Sequence, residues 1–120
     1  MVPTKATPLF LVYRGDALDG LAFRVVERCP PTATDFLSYE ALGKHYDRRD
    51  FFKGTGLSMH TTKKRAQRIA HTYGAGGAVA VLDLRHPSIV WARTGGAGHL
   101  TVWAPAEILL ARVLECESHE

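Results

Sequence analysis

The stretch that decides the fold runs from Gly54 to Leu84 and reads GTGLSMHTTKKRAQRIAHTYGAGGAVAVLDL. Residues 56–60 alternate apolar and polar side chains, which is typical of a half-buried strand. Residues 63–73 place apolar side chains at helical spacing, and the glycine at position 74 ends that pattern. Residues 78–84 form a nearly continuous apolar run that suits a central strand. The stretch therefore predicts a strand, a helix, a glycine turn and a second strand.

Polar side chains stand where the first strand of this stretch meets the helix. Ser58 and His60 occupy alternate positions of the strand, so both face the same side of it. Thr61 or Thr62 then caps the helix by accepting a hydrogen bond from a backbone N–H that has no partner within the helix. Hydroxyl and imidazole groups at the mouth of a helix can contact a ligand, so we take this junction as the candidate functional site.

The bulk composition fits one globular domain. The chain has 120 residues, of which 46% are hydrophobic and 22% are charged; this supports a sizeable core and argues against disorder. We assign residues 1–120 to a single domain and expect flexible tails over 1–8 and 115–120. The formal net charge of +3 suits an anionic partner such as a nucleotide or a nucleic acid, or it serves solubility alone.

Cysteine usage and hydropathy bear on location. Cys29 and Cys116 are the two cysteines, they form no CxxC motif, and no secretory signal precedes them. No apolar run approaches the roughly 20 residues that span a bilayer, so we expect no membrane partner. We therefore predict a cytoplasmic protein with two reduced, chemically inert thiols, although a toxin delivered without a signal would share these features.

The rest of the chain is rich in predicted strands. Apolar or alternating runs predict further strands over 9–13, 22–27, 88–93, 99–103 and 108–114. A helix is predicted from Thr34 or Asp35 to Leu42, and a charged surface loop over 44–53. About seven strands and two helices predict an α+β fold in which the sheet is mixed or antiparallel and the helices lie on one side of it.

Several common catalytic and metal-binding signatures are missing from the sequence. It contains no GxGxxG with a following acidic residue, no GxxxxGK[ST], no GxSxG and no HExxH. The six histidines have no zinc-ligand spacing, so we expect no metal site. The glycine clusters 74–77 and 95–98 either form turns or cradle phosphates. The basic residues from Lys63 to Arg68 form either a solvated helix face or a nucleic-acid contact.

Two charged residues outside the central stretch are candidates for ligand chemistry. Arg14 follows the first predicted strand and precedes Gly15, where a planar guanidinium can grip a phosphate with two hydrogen bonds. The alternative for Arg14 is a surface salt bridge to a nearby aspartate. Glu107 precedes the last predicted strand, where a carboxylate can stabilise positive charge on a sugar. The alternative for Glu107 is a solvent-facing glutamate.

The order of these elements resembles the ADP-ribosyltransferase-like superfamily. In that family an arginine or histidine ends the first strand, a hydroxyl-bearing strand leads into a helix, and a late strand begins with a catalytic glutamate. The matching segments here are Tyr13-Arg14-Gly15, Ser58-Met59-His60-Thr61-Thr62 and Glu107-Ile108-Leu109-Leu110. The resemblance spans residues 9–114, and it implies a split, curved, mostly antiparallel sheet around a cleft that binds NAD.

The resemblance also implies roles for single residues. Glu107 and Ser58 would be catalytic. Glu107 would stabilise the ribose cation as nicotinamide leaves, and Ser58 would orient the Glu107 carboxylate. The cofactor-binding residues would be Arg14, Gly15, His60, Thr61, Thr62, Tyr73 and Trp103. The implied activity is transfer of ADP-ribose from NAD to an unknown acceptor, which is a protein or a nucleic acid, or cleavage of NAD to nicotinamide. If the chain is a toxin, an inhibitor protein is a further expected partner.

Two other functions stay open from the sequence. The RNA 2′-phosphotransferase group has the same fold and a similar order of segments, here GLSMHTT, a helix, a glycine turn, an apolar strand and TVWAP. That resemblance implies a reaction that depends on Arg14, His60 and Arg68 and does not use the glutamate. The third possibility is a binding module without catalysis, such as a toxin or antitoxin partner or a nucleic-acid binder that uses the Lys63–Arg68 face.

Overall fold

The structure is a computed structural model that describes residues 12–14, 20–45, 54–73, 77–94 and 96–118. Gly15, the predicted tail over 1–8 and most of the predicted loop over 44–53 lie outside these residues. Residues 115–118 belong to a strand, although we expected a flexible tail there. Within the described part of the chain, no helix is long and apolar enough to cross a membrane.

Seven strands of the described chain form one antiparallel sheet, which confirms an α+β fold with an antiparallel sheet. In chain order they are β1 (Val12–Arg14), β2 (Leu21–Val26), β3 (Leu57–His60), β4 (Ala78–Asp83), β5 (Val90–Arg93), β6 (His99–Trp103) and β7 (Val113–Ser118). Their order across the sheet is β1-β5-β6-β3-β2-β4-β7. Helices α1 (Lys63–Tyr73) and α2 (Ala106–Ala111) flank the sheet, and a 3₁₀ helix spans Ala33–Phe36.

The main core lies on one face of the sheet, because residues directly opposite one another in antiparallel strands share a face. Apolar side chains of alternate strand positions meet there, among them Ala22, Leu57, Met59, Ala80, Leu82, Leu100 and Val102. Phe36 from the 3₁₀ helix and Leu109 from α2 cover this face. We call it the inner face, and its burial is the main apolar contribution to stability.

Helix α1 packs on the opposite face of the sheet. Its buried residues are Ala66 and Ala70, and its contacts are with β2, β3 and β4. The Lys63 ammonium pairs with the Glu117 carboxylate of β7 on that face. Helix α1 therefore lies on the opposite side of the sheet from the 3₁₀ helix and α2, so the expectation that the predicted helices share one side was wrong.

Two predicted elements have a different structure. The predicted helix over 34–42 is a 3₁₀ helix of four residues followed by turns, because the backbone becomes extended at Leu37, directly after it. The predicted strand over 108–114 begins instead as α2 and becomes β7 only at Val113. Pro105 precedes α2 and its carbonyl accepts the first hydrogen bonds of that helix.

The two cysteines form a disulfide, so the expectation of reduced thiols was wrong. Cys29 follows β2 and Cys116 lies in β7, with their Cα atoms 5.7 Å apart. The bond joins residues that are 87 positions apart in the chain. Because disulfides persist mainly in oxidising compartments, it weighs against the predicted cytoplasmic location, which stays a prediction.

Candidate functional site

The candidate site is built on the face of β3 and β6 that lies away from the core. Ser58 pairs directly with Thr101, and His60 pairs directly with His99. Cross-strand partners share a face, so these four polar side chains form one group, which we call the polar face. The sequence placed Ser58 and His60 on one side of their strand, and the register agrees with that prediction.

The members of the polar face differ in exposure. Ser58 is exposed, His99 is half-buried, and His60 and Thr101 retain only 4% and 3% of their surface. The Thr94 hydroxyl lies 2.7 Å from the Thr101 hydroxyl, so these two satisfy each other. Ser58 is therefore the hydroxyl of this group that can meet a ligand from solvent.

The proton of the His99 ring is fixed by a backbone group. Its Nδ1 atom lies 3.1 Å from the carbonyl oxygen of Thr94. The Thr94 hydroxyl lies 3.0 Å from the same atom, and because the carbonyl oxygen only accepts while the hydroxyl can accept as well, a proton on Nδ1 satisfies both contacts. Burial lowers the pKa of His99, and the neutral ring then has a lone pair on Nε2.

His60 forms a second, complementary arrangement. The Arg65 guanidinium from α1 donates from Nε to Nδ1 of His60 at 3.3 Å, so the neutral ring carries its proton on Nε2. The His60 and His99 rings meet edge to face, with centroids 5.6 Å apart. Burial, together with smaller contributions from His99, Arg65 and Arg24, lowers the pKa of His60 to about 4. At neutral pH His60 is therefore uncharged and Arg65 carries the positive charge.

The start of α1 is held against the turn that precedes β6. The backbone N–H of Thr61 donates to the carbonyl of Gly98 at 2.9 Å. Gly98 has a φ of +83°, and a Cβ there would lie 3.0 Å from Cδ of Arg65 and 3.3 Å from Oγ1 of Thr61. Glycine at position 98 therefore permits this close approach. The Thr62 hydroxyl accepts the backbone N–H of Arg65 at 3.2 Å, so Thr62 rather than Thr61 caps the helix.

Trp103 and Glu107 lie near the other end of β6. Trp103 is buried, and its indole N–H donates to the Thr55 hydroxyl at 3.1 Å. A cleft of about 340 Å³ opens beside it, walled by the segment after the 3₁₀ helix and by the start of α2. Glu107 is exposed in the first turn of α2, and neither Glu107 nor Ser58 lines this cleft.

The remaining predicted residues are described only in part. Arg14 ends β1, where the register sets it opposite Val90, and Val90 is itself opposite Trp103. The backbone position of Arg14 thus belongs to the same face of the sheet as Trp103. Gly15 lies outside the described residues, and the structure describes Tyr73 only as the last residue of α1.

The structure thus brings together Ser58, His60, Thr61 and Thr62. Trp103 lies on the same face of the sheet, two positions along β6 from Thr101, whereas Glu107 lies in α2. Sequence reasoning did not include His99 and Arg65 in the site. The alternation of residues 99–103 was visible in the sequence, and it predicted that His99, Thr101 and Trp103 share one face of a strand. Arg65 was assigned to an exposed basic face of α1. Lys64 and Arg68 are indeed exposed there. Lys63, however, pairs with Glu117, and Arg65 contacts His60.

The chemistry available at the polar face is that of hydroxyls, neutral imidazoles and one guanidinium. This combination suits an anionic or hydrogen-bonding ligand. Among the described residues, no group of three or more His, Cys, Asp or Glu side chains is arranged to hold a metal ion. Comparisons of the chain with protein-family models, with curated proteins and with solved structures found no match.

Proposed function

We propose that the chain binds NAD at the polar face and breaks the bond between nicotinamide and ribose, so that ADP-ribose passes to an acceptor or to water. The observation that carries the proposal is the exposed Ser58 hydroxyl beside His60 and Arg65, at the junction of a strand and a helix. The order of elements, with Arg14 at the end of β1 and Glu107 after β6, supports the same assignment.

We propose with it that the fold is ADP-ribosyltransferase-like. The sheet divides into β1-β5-β6-β3 and β2-β4-β7, and one registered pair, Phe23 with His60, joins the two parts. By comparison, six pairs join β2 to β4 and four join β3 to β6. This division supports the split sheet that the resemblance implies.

The reaction is balanced without a redox partner. The bond between C1′ of the ribose and the nicotinamide nitrogen breaks, and its electron pair leaves with nicotinamide. An acceptor oxygen supplies the pair for the new bond to C1′, and the acceptor proton is released. Positive charge develops on the ribose in between. Neutral His60 and His99 add no charge that would oppose it, and Arg14 and Arg65 suit the diphosphate.

Glu107 is proposed as the carboxylate that stabilises the ribose cation. Its side chain is exposed in the first turn of α2. A direct substitution is therefore the decisive test of this role.

A second candidate acceptor is the 2′-phosphate of an RNA. The contact between Arg65 Nε and His60 Nδ1 favours it, because a guanidinium binds a phosphate well. A phosphate is already ionised at neutral pH, so its own negative charge can stabilise the ribose cation without a carboxylate. Under this alternative Glu107→Gln leaves the reaction intact, whereas His60→Gln and Arg65→Gln abolish it.

The first experiment measures the melting temperature with and without NAD and then free nicotinamide by mass spectrometry. We expect NAD to raise the melting temperature and nicotinamide to accumulate. Ser58→Ala should reduce nicotinamide release, and Ser88→Ala, also an exposed serine, is its control. Glu107→Gln is compared with Glu115→Gln, an exposed glutamate of β7. Folded protein that neither binds NAD nor releases nicotinamide would contradict the proposal and favour a binding module.

The predictions of a cytoplasmic location and of a toxin with an inhibitor protein belong to the same proposal. A compartment-resolved measurement of the thiol state tests the first of them. If Cys29 and Cys116 are disulfide-bonded in cells, an oxidising compartment replaces the cytoplasm in the proposal.

A further inference from the structure

The junction between the two parts of the sheet uses a side chain where a regular sheet uses backbone hydrogen bonds. Beyond the pair of Phe23 with His60, an antiparallel ladder would bring position 24 opposite Met59 and then position 25 opposite Ser58. That pair is not formed. Instead, Nη1 of Arg24 donates to the carbonyl oxygen of Ser58 at 2.8 Å. The guanidinium takes the place of a strand partner for Ser58.

Arg24 is itself held in a fixed position. Its Nε atom donates to the carbonyl oxygen of Asp35 at 2.8 Å, so one planar group bridges β3 and the 3₁₀ helix. The Asp35 carboxylate accepts hydrogen bonds from the backbone N–H groups of Thr32 and Glu27, which ties that helix to the end of β2. The network leaves the guanidinium little freedom to move.

The charge of Arg24 strengthens these bonds. Burial lowers the pKa of Arg24 to about 10, while the charge of Asp35 opposes this shift. The guanidinium is therefore still charged at neutral pH, and hydrogen bonds from a charged donor are about twice as strong as neutral ones. A lysine keeps the charge but has no planar fork to span two carbonyl groups.

We propose that Arg24 is a positioning residue that fixes the β3 backbone at Ser58 and so sets where the Ser58 hydroxyl stands on the polar face. The inference rests on the proposed function for its consequence, because that function gives the Ser58 hydroxyl a role in NAD cleavage. Arg24 acts through Ser58 and is not assigned a contact with NAD.

Arg24→Lys tests the proposal, and Arg112→Lys is its matched control. Arg112 is also half-buried, and it donates from Nε to the Asp83 carbonyl at 3.0 Å and from Nη2 to the Arg85 carbonyl at 3.3 Å. These carbonyls lie at and just after the end of β4, which is two strands away from β3 in the sheet. Both variants keep a positive charge and lose a two-carbonyl bridge. Arg112 also pairs through Nη2 with the Asp83 carboxylate at 3.1 Å, so its replacement tests a general loss of stability at least as strictly.

Two measurements separate positioning from general stability. Backbone amide exchange is followed at residues 57–60 and at 78–83, and kcat and KM for nicotinamide release are measured on folded samples. We expect Arg24→Lys to speed exchange in 57–60 and to lower kcat by about tenfold or more, as a misplaced reacting group does. The KM for NAD should change much less than kcat. Arg112→Lys should speed exchange in 78–83 and leave kcat unchanged.

Unchanged exchange at residues 57–60 in Arg24→Lys would overturn the proposal, and so would an equal loss of kcat in Arg112→Lys. If the wild-type chain releases no nicotinamide, the proposed function fails, and the exchange pattern alone decides whether Arg24 positions β3. If Arg24→Lys does not fold, Arg24→Met gives the same comparison, since it has no charge to bury.

Discussion

Mild acid should destabilise the protein through His60. The ring is almost fully buried, and the groups whose charge acts on it are His99 of β6, Arg65 of α1 and Arg24 of β2. Each of these groups can carry a positive charge, and no carboxylate is among the groups that act on the ring. A proton on His60 is therefore opposed both by burial and by like charge.

The magnitude follows from the two pKa values. His60 titrates near 6.5 when unfolded and near 4 when folded, so between these pH values the unfolded chain binds more protons than the folded chain. The free energy of unfolding therefore rises with pH in this window. The contribution of His60 is fully present above about pH 6.5 and is lost as the pH falls toward 4. The difference corresponds to about 3 kcal/mol. Burial lowers the pKa of His99 as well, which adds a loss of the same sign.

The assay is urea unfolding from pH 7 to pH 4, with the pKa of His60 measured by NMR. His60→Gln keeps an acceptor for Arg65 but cannot titrate, so it should reduce the dependence to the part that His99 contributes. His71→Gln, which changes an exposed histidine of α1, should retain it. The Asp83 carboxyl does not interfere, since hydrogen bonds from Arg85 lower its pKa to about 2 and its contribution is lost only below pH 4. The reasoning is refuted if His60→Gln keeps the full pH dependence, or if wild type loses under about 1 kcal/mol.

Three further predictions concern stability and are checked by urea unfolding at pH 7. Reduction of the disulfide should cost about 4 to 5 kcal/mol, because the bond closes a loop of 87 residues; an unchanged midpoint under reductant would contradict this. Leu109→Ala should cost about 2 to 5 kcal/mol, because the side chain is fully buried under α2, whereas exposed Leu114→Ala should cost little. Thr62→Ala should cost about 1 kcal/mol through loss of the α1 cap, and an equal cost for Thr72→Ala, an exposed α1 residue, would refute that role.

Local periodicity was enough to predict the centre of the fold. Strands β3, β4 and β6 and helix α1 lie where alternation, an apolar run and helical spacing indicated them. In these segments the sequence pattern and the tertiary environment favour the same structure. At 108–114 a short apolar run fits either a strand or a buried helix, and the proline at position 105 decided for α2.

The site was predictable only in its local part. The alternation of Ser58 and His60 showed that they share a face, but the contact of Arg65 with His60 depends on how α1 packs over β3. The role of Arg24 depends on a missing strand pair, which no local pattern of residues 21–26 reveals. The disulfide likewise depends on β7 lying beside β4, close to the segment after β2.

The placement of Glu107 separates the candidate reactions. A glutamate that opened a strand beside β3 would stand in the sheet, but Glu107 lies in a helix whose Leu109 packs into the inner face. Ser58 faces the other side of the sheet. If Glu107→Gln nevertheless abolishes nicotinamide release, NAD must reach from the polar face around the end of β6 to α2, and Ser58→Ala must then impair the same step. If release survives Glu107→Gln and is lost in His60→Gln and Arg65→Gln, the chemistry lies wholly on the polar face, and an ionised phosphate is the acceptor that fits it.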